Sequence, residues 1–164
     1  KPEEIIVLVG ATLQSSQPES LDGSEVKNLI TNKIAGKPSI NLILEKYVQE
    51  LVRNFSQRQI INAAHDCSKG GLVITLAESS LLSNLGVHIH DDIPELWDAC
   101  LFGETQSRIV ISCSPEKLSE ITSAAENVNV PYDVIGKVLG TNDFVIEDYI
   151  EQSIENMKSF WDIS

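Results

Sequence analysis

Near its start the chain carries Glu4 and then five consecutive apolar residues, Ile5-Ile6-Val7-Leu8-Val9, ended by Gly10. An unbroken apolar run of this length, bounded by a glycine, predicts a strand buried on both faces and therefore inside a sheet. The following stretch, ATLQSSQPESLDGSE, has neither a helical nor a strand period and is dense in Ser, Gln, Pro and Gly. It predicts an exposed, mobile loop. Apolar positions then recur at Leu44, Val48, Leu51 and Phe55, the spacing of an amphipathic helix over residues 39–55, with Ser39 behind Pro38 as its cap. Ile60 and Ile61 open a short strand ending near His65. From Leu72 to Leu82 nearly every position is apolar, which predicts a helix covered all round.

In the second half, Val87 and Ile89 alternate with His88 and His90 as in a short strand, and Ile109-Val110-Ile111 makes another after the polar stretch LFGETQSR. Ser114-Pro115-Glu116 combines an oxygen cap, a proline at the first helical position and an anion on the helix dipole, and Leu118, Ile121 and Ala125 face inward from the helix it starts. Residues 134–139 and 144–146, split by GTND, predict a hairpin. A last helix follows with Ile150, Ile154, Met157 and Trp161 on one stripe. Strands and helices interleave, but the closing hairpin breaks the crossover rhythm of a parallel sheet. The fold class is α+β: a mixed β-sheet covered by helices in α/β/α layers.

A length of 164 residues with 42% hydrophobic composition fits one domain over residues 1–164 around one buried core. No stretch approaches the roughly 18 to 20 consecutive apolar residues of a membrane span, and KPEEIIVLVG has too short an apolar run for a signal peptide. Cys67, Cys100 and Cys113 are odd in number and lack CxxC spacing, so they predict free thiols in a reducing cytoplasm rather than a disulfide framework or a zinc site. The net charge of -12, from 24 acidic against 12 basic side chains, sets the overall field against nucleic acid and anionic membrane. Any phosphate held here needs local donors.

One stretch offers them. In HDCSKGG, Asp66 to Gly71 connect a strand end to a helix start, where free backbone N-H groups point outward and glycines let a ligand approach. Ser68 offers a hydroxyl, Lys69 a charge, and Asp66 either a magnesium ligand or a helix cap. Ordinary capping and turn chemistry explains the same residues, and the GxxxxGK[ST] spacing of a P-loop is absent. A second cluster, FGETQSR, places Glu104, Thr105, Gln106, Ser107 and Arg108 before a buried strand. Glu104 suits a metal or a hydroxyl and Arg108 a phosphate; a solvated loop with an internal Glu-Arg pair is the alternative. His88 and His90 share a strand face, as metal ligands can, but period-two polarity accounts for them equally well. Cys67 near His65 is the one place where a thiol nucleophile merits a test.

Taken in order, IIVLVG, LDGSE, KPSINLILEKYVQEL, AHDCSKGGL with AES, LFGETQSRIVIS and the ending NMKSFW resemble the C-terminal domain of the aminoimidazole ribonucleotide synthase superfamily, and within it the formylglycinamidine ribonucleotide synthases of purine synthesis. The resemblance covers nearly the whole chain. It implies one domain of a larger ATP-dependent ligase, the C domain of the second of two homologous halves. It further implies a reaction in which ATP activates an amide oxygen of formylglycinamide ribonucleotide, ammonia from a glutaminase domain or subunit attacks, and ADP and phosphate leave. The isolated domain, without the ATP-binding N domains, is expected to be inactive. By the same resemblance Asp66 is the position of a magnesium ligand, and Glu104, Thr105 and Gln106 line a ribonucleotide site with Asn41 nearby, while Ser68, Gly70, Gly71 and Arg108 are the phosphate-binding candidates that the local chemistry itself offers. Thr105 stands where the family commonly has Ser, and Asn41 where it has Gln. The implied cofactors are Mg2+ and ATP, and the implied partners are the remaining synthase domains and the glutaminase. The competing reading is a non-catalytic structural or regulatory ligand-binding domain.

Overall fold

The apolar run near the start of the chain forms β1, Ile5–Gly10, with its last five residues buried. In the computed structural model, which describes residues 1–161, this strand lies inside a seven-stranded sheet. Residues 162–164, the end of the single domain expected over 1–164, lie outside the described residues. The other strands are β2 Ala63–Asp66, β3 Gly86–Ile89, β4 Arg108–Cys113, β5 Tyr132–Leu139, β6 Asp143–Ile146 and β7 Ile150–Ser153. Their order is β2-β4-β1-β5-β3-β6-β7. All pairs are antiparallel except β3 with β6, so the sheet is mixed, as the sequence predicts.

Because side chains alternate across a strand, β1 divides its apolar residues between two cores. Ile6 and Leu8 pack with Leu72, Leu76 and Leu101, while Val7 and Val9 pack with Val48, Phe55 and Ile121. The first core belongs to helices α3, Gly71–Ser83, and α4, Trp97–Phe102, with α6, Ile154–Phe160, at its edge. The second belongs to α2, Leu42–Gln57, and α5, Leu118–Asn127. Helices therefore cover both faces, giving α/β/α layers. Helix α3 buries Leu72, Val73, Leu76, Ala77 and Leu81 on several faces, since it packs on the sheet, on α4 and on α6.

The structure corrects several sequence expectations. Residues 134–139 and 144–146 do not form a hairpin: β5 lies between β1 and β3, and β3 separates it from β6. A strand with apolar residues on both faces sits well in a sheet interior, where both of its edges are paired. The true hairpin joins β6 to β7 and turns through Asp148 at a φ of 65°, with no glycine to announce it. Ile150 consequently lies in β7, not in the last helix, and Trp161 caps that helix. The cap of α2 is Asn41, whose Oδ1 accepts from the N-H groups of Ile43 and Leu44 at 3.1 Å each, and not Ser39. The short strand comprises Ala63–Asp66, so Ile60 and Ile61 precede it. Ser114 makes no side-chain cap; Pro115–Lys117 form a 3-10 turn that leads into α5.

The loop over residues 11–24, exposed or half-buried along most of its length, carries a buried anchor. Leu13 is buried, its N-H donates to Asp133 Oδ2 at 2.6 Å, and two 3-10 turns, Leu13–Ser15 and Pro18–Leu21, surround it. One apolar side chain in a polar stretch is too little periodicity to be read as an anchor. After that loop comes an unforeseen helix, α1, Glu25–Thr31.

Candidate functional site

Strands β2 and β4 are antiparallel neighbours in which Asp66 stands opposite Ile109. The turn that leaves β2 for α3 and the loop that enters β4 must therefore adjoin, although about forty residues separate them along the chain. The end of β1 joins them, since Gly10 pairs with Arg108. Three segments thus meet at one end of the sheet around a cleft of ≈ 450 Å³ whose walls include Glu45, Gln49, Asp66, Ser68, Lys69, Glu104 and Gln106.

At its centre Glu104 Oε1 accepts from the Gly70 N-H at 2.9 Å and from the Glu25 N-H at 2.8 Å. One carboxylate thus sits on the starts of both α3 and α1, the position in which a helix end attracts an anion. The Gly71 N-H is also engaged, donating to Ser68 O at 3.1 Å. The capping reading of this turn is therefore what the geometry displays, but the cap comes from another strand's loop and not from Asp66 or Ser68. Asp66 accepts instead from the Ser68 hydroxyl, and both border the cleft.

The remaining candidates divide. Gln106 Nε2 donates to Glu104 O at 3.4 Å and stays on the rim. Asn41 is engaged as the cap of α2. Thr105 faces a neighbouring hollow of ≈ 300 Å³ that also includes Ser20, Asp22, Lys37 and Glu104, and its hydroxyl is buried without a protein partner. In that hollow the Lys27 ammonium beside Asp22 holds its carboxyl below the usual range. Arg108 departs furthest from expectation. It is 2% exposed, its Nη1 donates to Cys100 O at 3.1 Å, and Nε and Nη2 have no protein partner. The guanidinium is tied to the backbone of α4 and forms no ion pair with Glu104, while the residue also contributes to the lining of the cleft. The sequence reading missed Glu45 and Gln49. They lie four apart on α2, one position beyond the apolar stripe at Leu44 and Val48, and Glu45 Oε2 accepts from the Ser107 hydroxyl at 2.7 Å.

The two other sequence candidates fall away. Burial pushes the Cys67 thiol up, and His65 is turned from it, with Nε2 at 3.2 Å from Glu78 Oε2 and Nδ1 at 2.9 Å from Asp66 O. No thiol-imidazole dyad forms. His88 and His90 lie with ring centroids 5.7 Å apart, and no cluster of three His, Cys, Asp or Glu residues suited to a metal ion occurs among the described residues.

The fold is that of a recognised class of domain. Residues 1–148 match the family described as AIR synthase related protein, C-terminal domain, and the chain belongs to that family. Within it the chain is similar to phosphoribosylformylglycinamidine synthase subunit PurL: the Thermus thermophilus protein is 33% identical over 98% of this chain and 22% of its own length. The Alkaliphilus metalliredigens protein is 31% identical over 96% of this chain and 21% of its own. The chain therefore spans less than a quarter of these relatives. Among solved structures, T. maritima PurL complexed with FGAR superposes with a TM-score of 0.79 at 22% identity, covering 96% of this chain and 28% of the other. Thiamine-monophosphate kinase from Stenotrophomonas maltophilia shares the fold more loosely, with a TM-score of 0.55 at 16% identity over 85% of this chain and 48% of the other.

Proposed function

We propose that this chain is the second-half C domain of a phosphoribosylformylglycinamidine synthase, an ATP-dependent carbon-nitrogen ligase of purine biosynthesis. The observation that carries the reading is sequence similarity running along 98% of the chain to such a subunit. In the reaction the γ-phosphoryl group of ATP passes to the amide oxygen of formylglycinamide ribonucleotide, releasing ADP. Ammonia derived from glutamine then adds to that carbon and phosphate departs. The remaining synthase domains contribute most ATP contacts, and a glutaminase domain or subunit supplies the ammonia. A solved neighbour described as PurLQS from T. maritima is consistent with such an assembly.

Within this chain, the work falls to the cleft at the end of β2 and β4. Asp66 presents a hard oxygen, and magnesium is commonly held by one or two carboxylates together with phosphate oxygens and water. The ion, when bound, neutralises charge on the transferring phosphoryl group. Ser68 orients the Asp66 carboxylate, and Gln106 offers an amide on the cleft rim. Glu104 fixes the α3 start, so that the Asp66–Gly71 turn keeps one geometry.

A second reading is favoured by one observation: the helix start that suits a phosphate already carries the Glu104 carboxylate. In that reading this half is a non-catalytic structural or regulatory domain. The two are separated by placing this chain in the Thermus thermophilus subunit in place of the matching segment and following substrate-dependent ADP formation. The catalytic reading expects turnover in the chimera and its loss with Asp66→Asn. Undiminished turnover with both Asp66→Asn and Gln106→Ala assigns the domain to the second.

A further inference from the structure

Helix α1 contains Val26, Leu29 and Ile30, yet it buries none of its residues. A seven-residue helix is marginal on its own, and helices in proteins are stabilised mainly by packing an apolar face. Here the face is open: Leu29 is 80% exposed and Ile30 79%, and along the same stretch of chain Ile34 is 79%, Leu42 71% and Ile43 71% exposed. Tyr47 continues the series onto α2. Exposed aliphatic residues so concentrated mark an interaction surface in a protein that otherwise buries its apolar runs.

Charge narrows the partner. Residues 26–47 hold four of the chain's 12 basic side chains and one of its 24 acidic ones, which leaves 8 basic against 23 acidic elsewhere. Lys27 is paired with Asp22 and Lys46 lies 3.9 Å from Glu50, so Lys33 and Lys37 carry the segment's excess positive charge on an otherwise acidic molecule, and its complement is an apolar patch bearing carboxylates. Position narrows it further. Glu104, which walls the cleft, also caps α1 through the Glu25 N-H, and Lys69 of the cleft turn lies 3.3 Å from Glu25 Oε1. The first turn of α1 therefore adjoins the cleft.

We infer that the exposed apolar side chains of residues 29–47, Leu29 and Ile30 on α1, Ile34 after it, and Leu42, Ile43 and Tyr47 on α2, dock an acid-rimmed apolar face of another domain of the same synthase. The inference rests on the reading that this chain works within a larger ligase, whose relatives extend well beyond it, since the chain covers only 22% of one of them. Docking covers α1, whose first turn adjoins the cleft through Glu104.

The test mixes this chain with a Thermus thermophilus PurL subunit from which the matching segment has been deleted, once circular dichroism and sedimentation show that remainder to be folded and monodisperse. Hydrogen exchange is followed on this chain with and without it. The expected result is slowing by about tenfold or more at amides of residues 27–47, with β7 unchanged. Leu29→Asp and Ile43→Asp each weaken association by about tenfold or more, and added salt weakens it as well. Leu82→Asp, at a residue 76% exposed on α3, leaves it unchanged. Protection elsewhere with residues 27–47 unprotected overturns the inference. So does absence of binding to the folded remainder, or sedimentation showing that Ile43→Asp abolishes self-association of this chain, which makes the surface a contact between two copies. Docking at the surface without turnover in the chimera leaves the inference standing and removes the catalytic reading; turnover with an unprotected surface does the reverse.

Discussion

Glu104 holds two helix starts with one oxygen, and both bonds are charge-assisted. Glu104→Ala removes the acceptor of two backbone donors and is expected to lower unfolding free energy by about 1–3 kcal/mol. Glu104→Gln keeps an acceptor and loses less; urea denaturation that ranks Gln below Ala contradicts this account. The cysteines make the opposite case, of side chains whose chemistry is suppressed. Burial, with Glu4 nearby, pushes the Cys113 thiol up to about 11, and Cys67 and Cys100 are raised by burial as well. At about pH 8 the thiolate of Cys113 is then roughly one part in a thousand. An aromatic disulfide reagent should label no cysteine in the folded chain and three in urea, and any native labelling would count against the buried placement. Asp133 brings in pH. Burial raises its carboxyl, against the lowering by the Leu13 N-H, so the folded chain holds this proton more tightly than the unfolded chain does. The stabilisation is full below the unfolded value and is lost as pH rises through the raised one. Asp133→Asn retains an acceptor without the charge. Its melting temperature relative to the parent should climb as pH rises above about 4, the unfolded value, and a flat difference would show that Asp133 is not the group responsible.

At the scale of elements, the loop that carries Glu104 is pinned by glycines of two neighbours. A Cβ on Gly71, at a φ of 69°, would meet Gly103 O at 2.7 Å, and one on Gly10, at a φ of 103°, would meet Ser107 O at 1.8 Å. Gly71→Ala is therefore strained both by its backbone and by the contact, and should destabilise by more than about 1 kcal/mol; a neutral result in urea would mean that the loop yields freely. The sequence reading found the elements with strong periodicity, β1, α2 and α3, because continuous or three-to-four apolar spacing survives folding unchanged. That the 66–71 turn and the 104–106 loop adjoin follows from the pairing of β2 with β4, and no local pattern states which strands are neighbours. The same reading missed Glu45 and Gln49, polar residues on a helix flank with no signal of their own, and it could not read the burial of Arg108, which depends on the non-local placement of α4 beside β4. The misplaced hairpin has the same origin: GTND is a good turn sequence, but the partner of β5 is chosen by the sheet.

The whole molecule joins two apolar cores through one sheet while leaving its cleft open and one helix uncovered. The cleft holds Asp66, Ser68, Gln106 and Glu104 at one sheet end, yet its ≈ 450 Å³ is walled by this chain alone, and ligand sites usually bury most of a ligand's surface. A net charge of -12 adds long-range repulsion toward nucleotide phosphates, which the local donors do not offset, since the Gly70 N-H is already taken by Glu104 and the Arg108 guanidinium is buried. The isolated chain should therefore form no ADP when given ATP, magnesium, ammonia and formylglycinamide ribonucleotide, and phosphate titrated to about millimolar concentration should leave its melting temperature unchanged. Glu104→Gln provides the contrast. Removing the internal carboxylate's charge lowers the repulsion at the α3 start, so any phosphate-dependent rise in melting temperature should appear in that variant before it appears in the parent. ADP formation by the isolated parent that depends on the ribonucleotide would show that one domain suffices for the chemistry, and the assignment of this chain to a fraction of a larger ligase would then fail.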